Sequence, residues 1–181
     1  GRTGDEFVAD MEPVASSVPY MTVAGNHERD CVTAGGAKPE GSCADPPYTN
    51  YRTRFEMPTP AGPAGQDPDH APMYWSADIG SVHVIGLNTD TYILPSIAPT
   101  QLAALKQQLS WLRADLTAAT VPEQRAQVPW IVAIGHEMLY SSHDSGHQAQ
   151  AKVLREGGVA SGVAFAGLED LFHEFGVDLY F

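Results

Sequence analysis

Two apolar runs in this 181-residue chain each break into a glycine and then a histidine, and that repetition narrows the folds open to it. Residues 18–24 (VPYMTVA) run into Gly25-Asn26-His27-Glu28, and residues 129–134 (PWIVAI) run into Gly135-His136-Glu137. Short apolar runs rich in β-branched residues and bounded by glycine read as strands buried on both faces. Such strands belong to sheets covered by helices. The clearest helix, residues 100–118, lies between the two runs. Leu102, Leu105, Leu109, Leu112 and Leu116 fall at steps of three and four, one apolar stripe with Gln, Lys and Arg opposite. Thr100, after Pro99, is the expected N-cap. Further helices are expected over residues 5–16, 147–156 and 163–175, the last closed by Gly176, with a final strand from Val177. Residues 73–78 and 81–88, parted by Ile79-Gly80, read as a strand pair with a tight turn. Strands alternating with helices predict an α/β layered fold, and the adjacent pair makes its sheet mixed.

Composition excludes several classes. Asp plus Glu number 22 against 10 Lys plus Arg, a net charge of −12 with no basic cluster, which repels a phosphate backbone and argues against nucleic-acid binding. No apolar run approaches the ~18 residues of a membrane span. Hydrophobic residues, 43% of the chain, suffice for one core. Residues 29–72 are rich in Gly, Pro, Asp and Asn and are expected to be a long irregular insertion, interrupted by a helical turn at Asn50–Phe55. Cys31 and Cys43 lie within it, either as a loop disulfide or as two thiols. The chain starts at Gly1 without an initiator Met or signal-peptide pattern and ends in the alternating Val177–Phe181. It is therefore expected to be an internal piece of a longer protein.

In open α/β sheets, the loops at the carboxyl ends of strands line the ligand crevice. Asn26 brings a carbonyl oxygen to one such loop, and His27 and His136 bring imidazole nitrogens. Mixed N and O donors suit Zn, Fe or Mn. The plainer alternative is that each His caps a strand end, but two matching exits favour one shared site. That site requires the side chains of Asn26 and His136 to converge within a few ångströms.

The segment from Val18 to Asp30, VPYMTVAGNHERD, resembles the GNHE block of the purple acid phosphatases, members of the calcineurin-like metallophosphoesterases. Trp130–Ser142, WIVAIGHEMLYSS, is similar to their later His block, and Met73–Thr89, MYWSADIGSVHVIGLNT, to the strand pair between. The resemblance spans essentially the whole chain. It implies a layered αββα sandwich, incomplete here at both ends, around a binuclear centre of Fe(III) with Zn, Mn or Fe(II). It implies an acid phosphatase, in which a metal-bound hydroxide hydrolyses a small phosphate monoester. By position, Asn26 would ligate the divalent metal and touch the phosphate, and His136 would be a second ligand of that metal. His27 would be the catalytic donor to the phosphate or leaving oxygen. His143 would contact substrate, with His147 as its rival. Location would be secreted or vacuolar/lysosomal, with no membrane or nucleic-acid partner.

The family's early Asp and Asp/Tyr blocks and its final Gly-His-x-His block have no match here, so only divalent-metal ligands are implied and the chain alone is expected to be inactive. Glu137 stands where relatives often carry Arg and is expected to point away. Two other readings remain open: a phosphodiesterase or nucleotide-cleaving enzyme of the same superfamily, and a non-catalytic binding member. Glu28 either supports His27 or a ligand, or pairs with Arg29. His83 is expected to be structural, His70 and His173 to lie outside the site, Tyr140, Ser141 and Ser142 to shape a loop, and Trp75, Trp111 and Trp130 to sit in the core.

Overall fold

The computed structural model describes residues 2–29, 32–33, 36–37, 48–58, 73–93 and 99–181. Cys31, Cys43 and His70, and with them the question of a disulfide, lie outside those residues. Helix α1 (Arg2–Ala15) leads through an extended segment to a 3₁₀ turn at Asn26–Arg29. The short pair β1 (Val32–Thr33) and β2 (Gly36–Ala37) follows, then α2 (Thr49–Arg54), which is the helical turn expected near Asn50. The central elements are β3 (Trp75–Ile79), β4 (Val82–Gly86), α3 (Asp90–Ile93), α4 (Pro99–Ala119), α5 (Pro122–Gln127) and β5 (Trp130–Ile134). The chain closes with α6 (Ser145–Glu156), β6 (Gly157–Ala160), β7 (Val163–Ala166), α7 (Leu168–Phe175) and β8 (Leu179–Tyr180).

A four-stranded sheet in the order β3-β4-β5-β8 organises these elements. β3 and β4 pair antiparallel, while β4–β5 and β5–β8 are parallel, so the fold is mixed α/β as expected. Ile85, Leu87, Ile131 and Ala133 of the sheet share one core with Leu105, Leu112 and Leu116 of α4, Leu154 of α6, and Leu168, Leu171 and Phe172 of α7. The leucine stripe is therefore the buried face of α4. Gln108 is buried on that helix too, because its amide substitutes for a neighbouring strand. Its Oε1 accepts the Asn88 N–H at 2.8 Å and its Nε2 donates to the Asn88 carbonyl at 3.1 Å, just past β4.

Five expectations are corrected. Residues 18–24 form no strand ladder among the described residues, although Ala24 is fully buried. Side chains take up the backbone groups there instead. The Thr22 carbonyl accepts Trp75 Nε1–H at 2.8 Å and the Tyr51 hydroxyl at 3.0 Å, and the Thr22 N–H faces Met57 Sδ. Residues 163–175 are not one helix, because the first four pair with β6 in an antiparallel hairpin. Its turn, Ser161-Gly162, has φ of 50° and 74°. Positive φ at both central positions matches the right-handed twist of the paired strands and cannot continue a helix. Trp130 is 55% exposed, because strand alternation turns Ile131 and Ala133 inward and leaves it outside, whereas Trp75 and Trp111 are buried. Thr100 is not an N-cap, since α4 already begins at Pro99, a residue whose fixed φ and missing N–H suit the first helical position. The final strand pairs from Leu179 rather than Val177.

Candidate metal and phosphate site

The site forms where β4 and β5 end side by side. The Leu87 N–H donates to the Ile134 carbonyl at 2.9 Å, carrying the parallel ladder one step past β4. The chain then turns at Gly135, whose N–H donates to the Phe181 carbonyl at 2.9 Å. A Cβ at residue 135 would stand 2.5 Å from the Tyr180 hydroxyl and 2.6 Å from Thr89 Cγ2, so close packing demands glycine here. The backbone of residue 137 is held on both sides. Glu137 N–H donates to Thr89 Oγ1 at 2.9 Å, and the Tyr180 hydroxyl donates to the Glu137 carbonyl. Burial pushes the Tyr180 phenol well above its usual range, which keeps it a donor. These contacts fix the backbone on both sides of His136.

The second loop meets the first. Glu28 turns back so that its carboxylate accepts the Gly25 N–H at 2.9 Å, and its own N–H bonds the Gly25 carbonyl at 3.1 Å. Glu28 therefore shapes the 3₁₀ turn that carries Asn26. A Cβ on Gly25 would lie 3.0 Å from the His136 ring, so the bare Cα is what admits the imidazole. Across this contact His136 Nε2 lies 3.2 Å from Asn26 Oδ1, between residues 110 apart in sequence. The structure thus brings together the two side chains that the sequence placed in one site. His27 is exposed on the same turn as Asn26.

His143 makes its contacts within its own loop. Its Nε2 lies 3.5 Å from Asp144 Oδ2, and its ring packs 4.8 Å from the His147 ring. Asp144 caps α6, accepting the Gly146 and His147 N–H groups at 2.9 and 3.0 Å. The His147 amide, more than any other contact, holds the Asp144 carboxyl below its usual range. Glu137 is half-buried among charged neighbours. Burial pushes its carboxyl up and Asp90 adds to that, while His136 and His147 pull it down.

Reasoning from the sequence missed the supports. Asp90 is 2% exposed and accepts the Tyr48 hydroxyl at 2.6 Å. Thr89 and Asp90 lie three and four residues past the end of β4, a position that could have singled them out. Tyr180 and Tyr48 had no such signal, because their partners are distant in the chain. Tyr140 packs under Arg155, 4.8 Å from ring to guanidinium carbon, and its hydroxyl donates to Glu169. It lies in the loop with Ser141, whose Oγ accepts the His143 N–H at 3.1 Å.

The sequence pattern of the calcineurin-like phosphoesterases matches residues 1–181. The chain belongs to that family. It is 34% identical over 181 residues to acid phosphatase type 7 of Danio rerio, covering 99% of this chain and 35% of that protein. Acid phosphatase type 7 of Homo sapiens is likewise 34% identical, over 98% of this chain and 34% of its own length. The chain thus spans about a third of the length of these relatives. Another relative, from Arabidopsis thaliana, is called probable inactive purple acid phosphatase 9 and is 31% identical over 76% of this chain and 21% of its own length. Among solved structures, purple acid phosphatase PPD1 from yellow lupin seeds superposes with a TM-score of 0.59 at 23% identity, over 98% of this chain and 26% of that one, a likeness of fold. The resemblance to purple acid phosphatases stated from three sequence blocks is borne out at the level of family and fold.

Proposed function

We propose that this phosphoesterase is a metal-dependent acid phosphatase acting on small phosphate monoesters. One observation carries the reading: Asn26 Oδ1 and His136 Nε2 face each other at 3.2 Å at adjoining loop ends. Two donors on a four-coordinate ion with bonds of ~2.0–2.2 Å stand about 3.3 Å apart, so this oxygen–nitrogen pair fits two ligands of one divalent cation. The chemistry of the set fits as well, since a neutral amide oxygen and an imidazole suit Zn, Mn or Fe(II). Bound there, beside an Fe(III) partner as the family resemblance implies, such an ion supplies Lewis-acid polarisation of a phosphoryl oxygen and activation of water.

The residues of this chain do the rest. Asn26 and His136 orient the cation, and Thr89 and Tyr180 hold the His136 backbone in register for it. His27, exposed beside Asn26, donates a ring N–H to a phosphate oxygen or to the leaving oxygen as it departs. His143 contributes to substrate binding from the loop that follows. The charge of −12 disfavours long polyanions and leaves small esters as substrates, without a nucleic-acid or membrane partner. No helix among the described residues is long and apolar enough to cross a membrane, and the resemblance supports a secreted or vacuolar location.

A second reading, a family member that binds without turnover, is favoured by the name of the probable inactive relative. The test is hydrolysis of p-nitrophenyl phosphate and of its bis-ester near pH 5 by the full-length protein, with metal content measured on the same sample. Turnover of the monoester is expected. Faster turnover of the diester overturns the monoesterase reading in favour of a phosphodiesterase. Full metal content without turnover of either overturns it in favour of a binding protein.

A further inference from the structure

The loop after His136 carries a second set of metal-competent side chains that the reading above uses only through His143. His143, Asp144 and His147 each bring one donor atom within 4.8 Å of the others. His147 Nδ1 is 3.0 Å from both Asp144 carboxylate oxygens, and His143 Nε2 is 3.5 Å from Oδ2. Donor atoms on a tetrahedral zinc ion, with bonds of ~2.0–2.1 Å, are separated by about 3.3 Å. Both Asp–His separations are already near that value. The remaining His–His edge closes by rotation of His143, whose side chain is 73% exposed.

The local backbone supports the arrangement. Asp144 Oδ1 accepts the two N–H groups that open α6, which leaves Oδ2 toward the histidines. That carboxylate also offsets the positive end of the helix, which would otherwise oppose a cation. His147 rides on the first turn of α6, whereas His143 stands just outside it. Only His147 is therefore held by the helix, and His143 reaches the carboxylate from the loop. Two imidazole nitrogens with one carboxylate oxygen are borderline donors, which select Zn²⁺ and its neighbours over Mg²⁺ or Ca²⁺.

We propose that His143, Asp144 and His147 bind one Zn²⁺-class cation with donors other than Asn26 and His136. Three protein donors leave a coordination position open to water or a ligand oxygen. The site needs neither Asn26 nor His136, so it stands or falls apart from the phosphatase reading.

The experiment is a Zn²⁺ titration of chelator-stripped full-length protein against a chromophoric competitor. The background is the Asn26→Ala/His136→Ala double variant, which lacks the other divalent pair. That variant is expected to retain one Zn²⁺ equivalent. Adding His143→Ala or His147→Ala should weaken it by more than the ~10–100-fold lost with a merely supporting group. Asp144→Asn keeps the cap, because Asn caps a helix as well as Asp does, and should weaken Zn²⁺ by removing the anionic charge. Retention of the equivalent by either histidine variant overturns the proposal. So does its absence from the double variant.

Discussion

His136 and His27 stand one on each of two touching loops, yet their surroundings assign them different work. Both residues are exposed, but His136 packs on Gly25 and faces Asn26 Oδ1, whereas His27 stands beside Asn26 on the 3₁₀ turn. His136→Ala should therefore lower metal content and turnover together. His27→Ala should leave metal in place and reduce kcat by about 10²–10³-fold, the scale for losing one proton donor. Metal analysis beside kcat for both variants checks this, and loss of metal from the His27 variant alone would reverse the two roles. Gly135 offers a second test. A methyl group there collides with Tyr180 and Thr89, so Gly135→Ala should cost about 1–3 kcal/mol as local overpacking. Removing the Tyr180 hydroxyl relieves part of that collision. In a double-mutant cycle by urea unfolding, Gly135→Ala should cost less in a Tyr180→Phe background, and strict additivity would show that the hydroxyl is not what excludes the methyl.

Between elements, one ion-pair cluster couples the β3–β4 hairpin to α4. His83 on β4 places Nδ1 2.6 Å from Asp78 of β3 and Nε2 2.9 Å from Asp115 of α4. Ser76 donates to the other Asp115 oxygen and Gln124 to the other Asp78 oxygen, so both carboxylates are fixed as acceptors. Burial by itself pushes the His83 pKa down, but the hydrogen bonds to Asp115 and Asp78 together outweigh it and hold the ring above its ordinary value. The sign follows from linkage. A group whose pKa is raised on folding stabilises fully below its unfolded value of about 6.5, and that contribution fades as pH climbs through the folded value. Wild type should hold its largest advantage over His83→Asn at acid pH and lose it toward alkaline pH in urea unfolding, with little change in kcat at pH 5. A constant advantage across the range would mean that the ring is neutral in the folded protein. The hairpin β6–β7 carries a smaller liability, Ser161 at φ 50°. Ser161→Asn, which tolerates that region and creates an Asn-Gly turn, should stabilise by about 0.5–1 kcal/mol, read as a Tm rise of about 1–4 °C.

Across the whole molecule, the chain covers about a third of its acid phosphatase relatives, and the described residues bring two of the expected donors together where a zinc-type ion usually takes three or four. The 181 residues alone should accordingly show no turnover of p-nitrophenyl phosphate after metal loading, while the full-length protein turns over; activity of the isolated chain would mean that it holds a complete site. The mixed α/β class, the leucine face of α4, the β3–β4 pair, the strand ending at Ile134 and the partnership of Asn26 with His136 were all readable from the amino-acid sequence. Each rests on a local signal, either periodic burial or a glycine placed at the end of an apolar run. The grip of Thr89 and Tyr180 on the Glu137 peptide, the Gln108 bridge to Asn88 and the burial of Asp90 against Tyr48 were not readable, because each joins residues distant in the chain. Residues 18–24 show the limit most plainly. Their apolar, β-branched pattern correctly reported burial at Ala24, but a strand also needs a neighbour to accept its hydrogen bonds. Here the Trp75, Tyr51 and Met57 side chains meet the Thr22 backbone instead, so tertiary packing decided what the backbone of that segment would pair with.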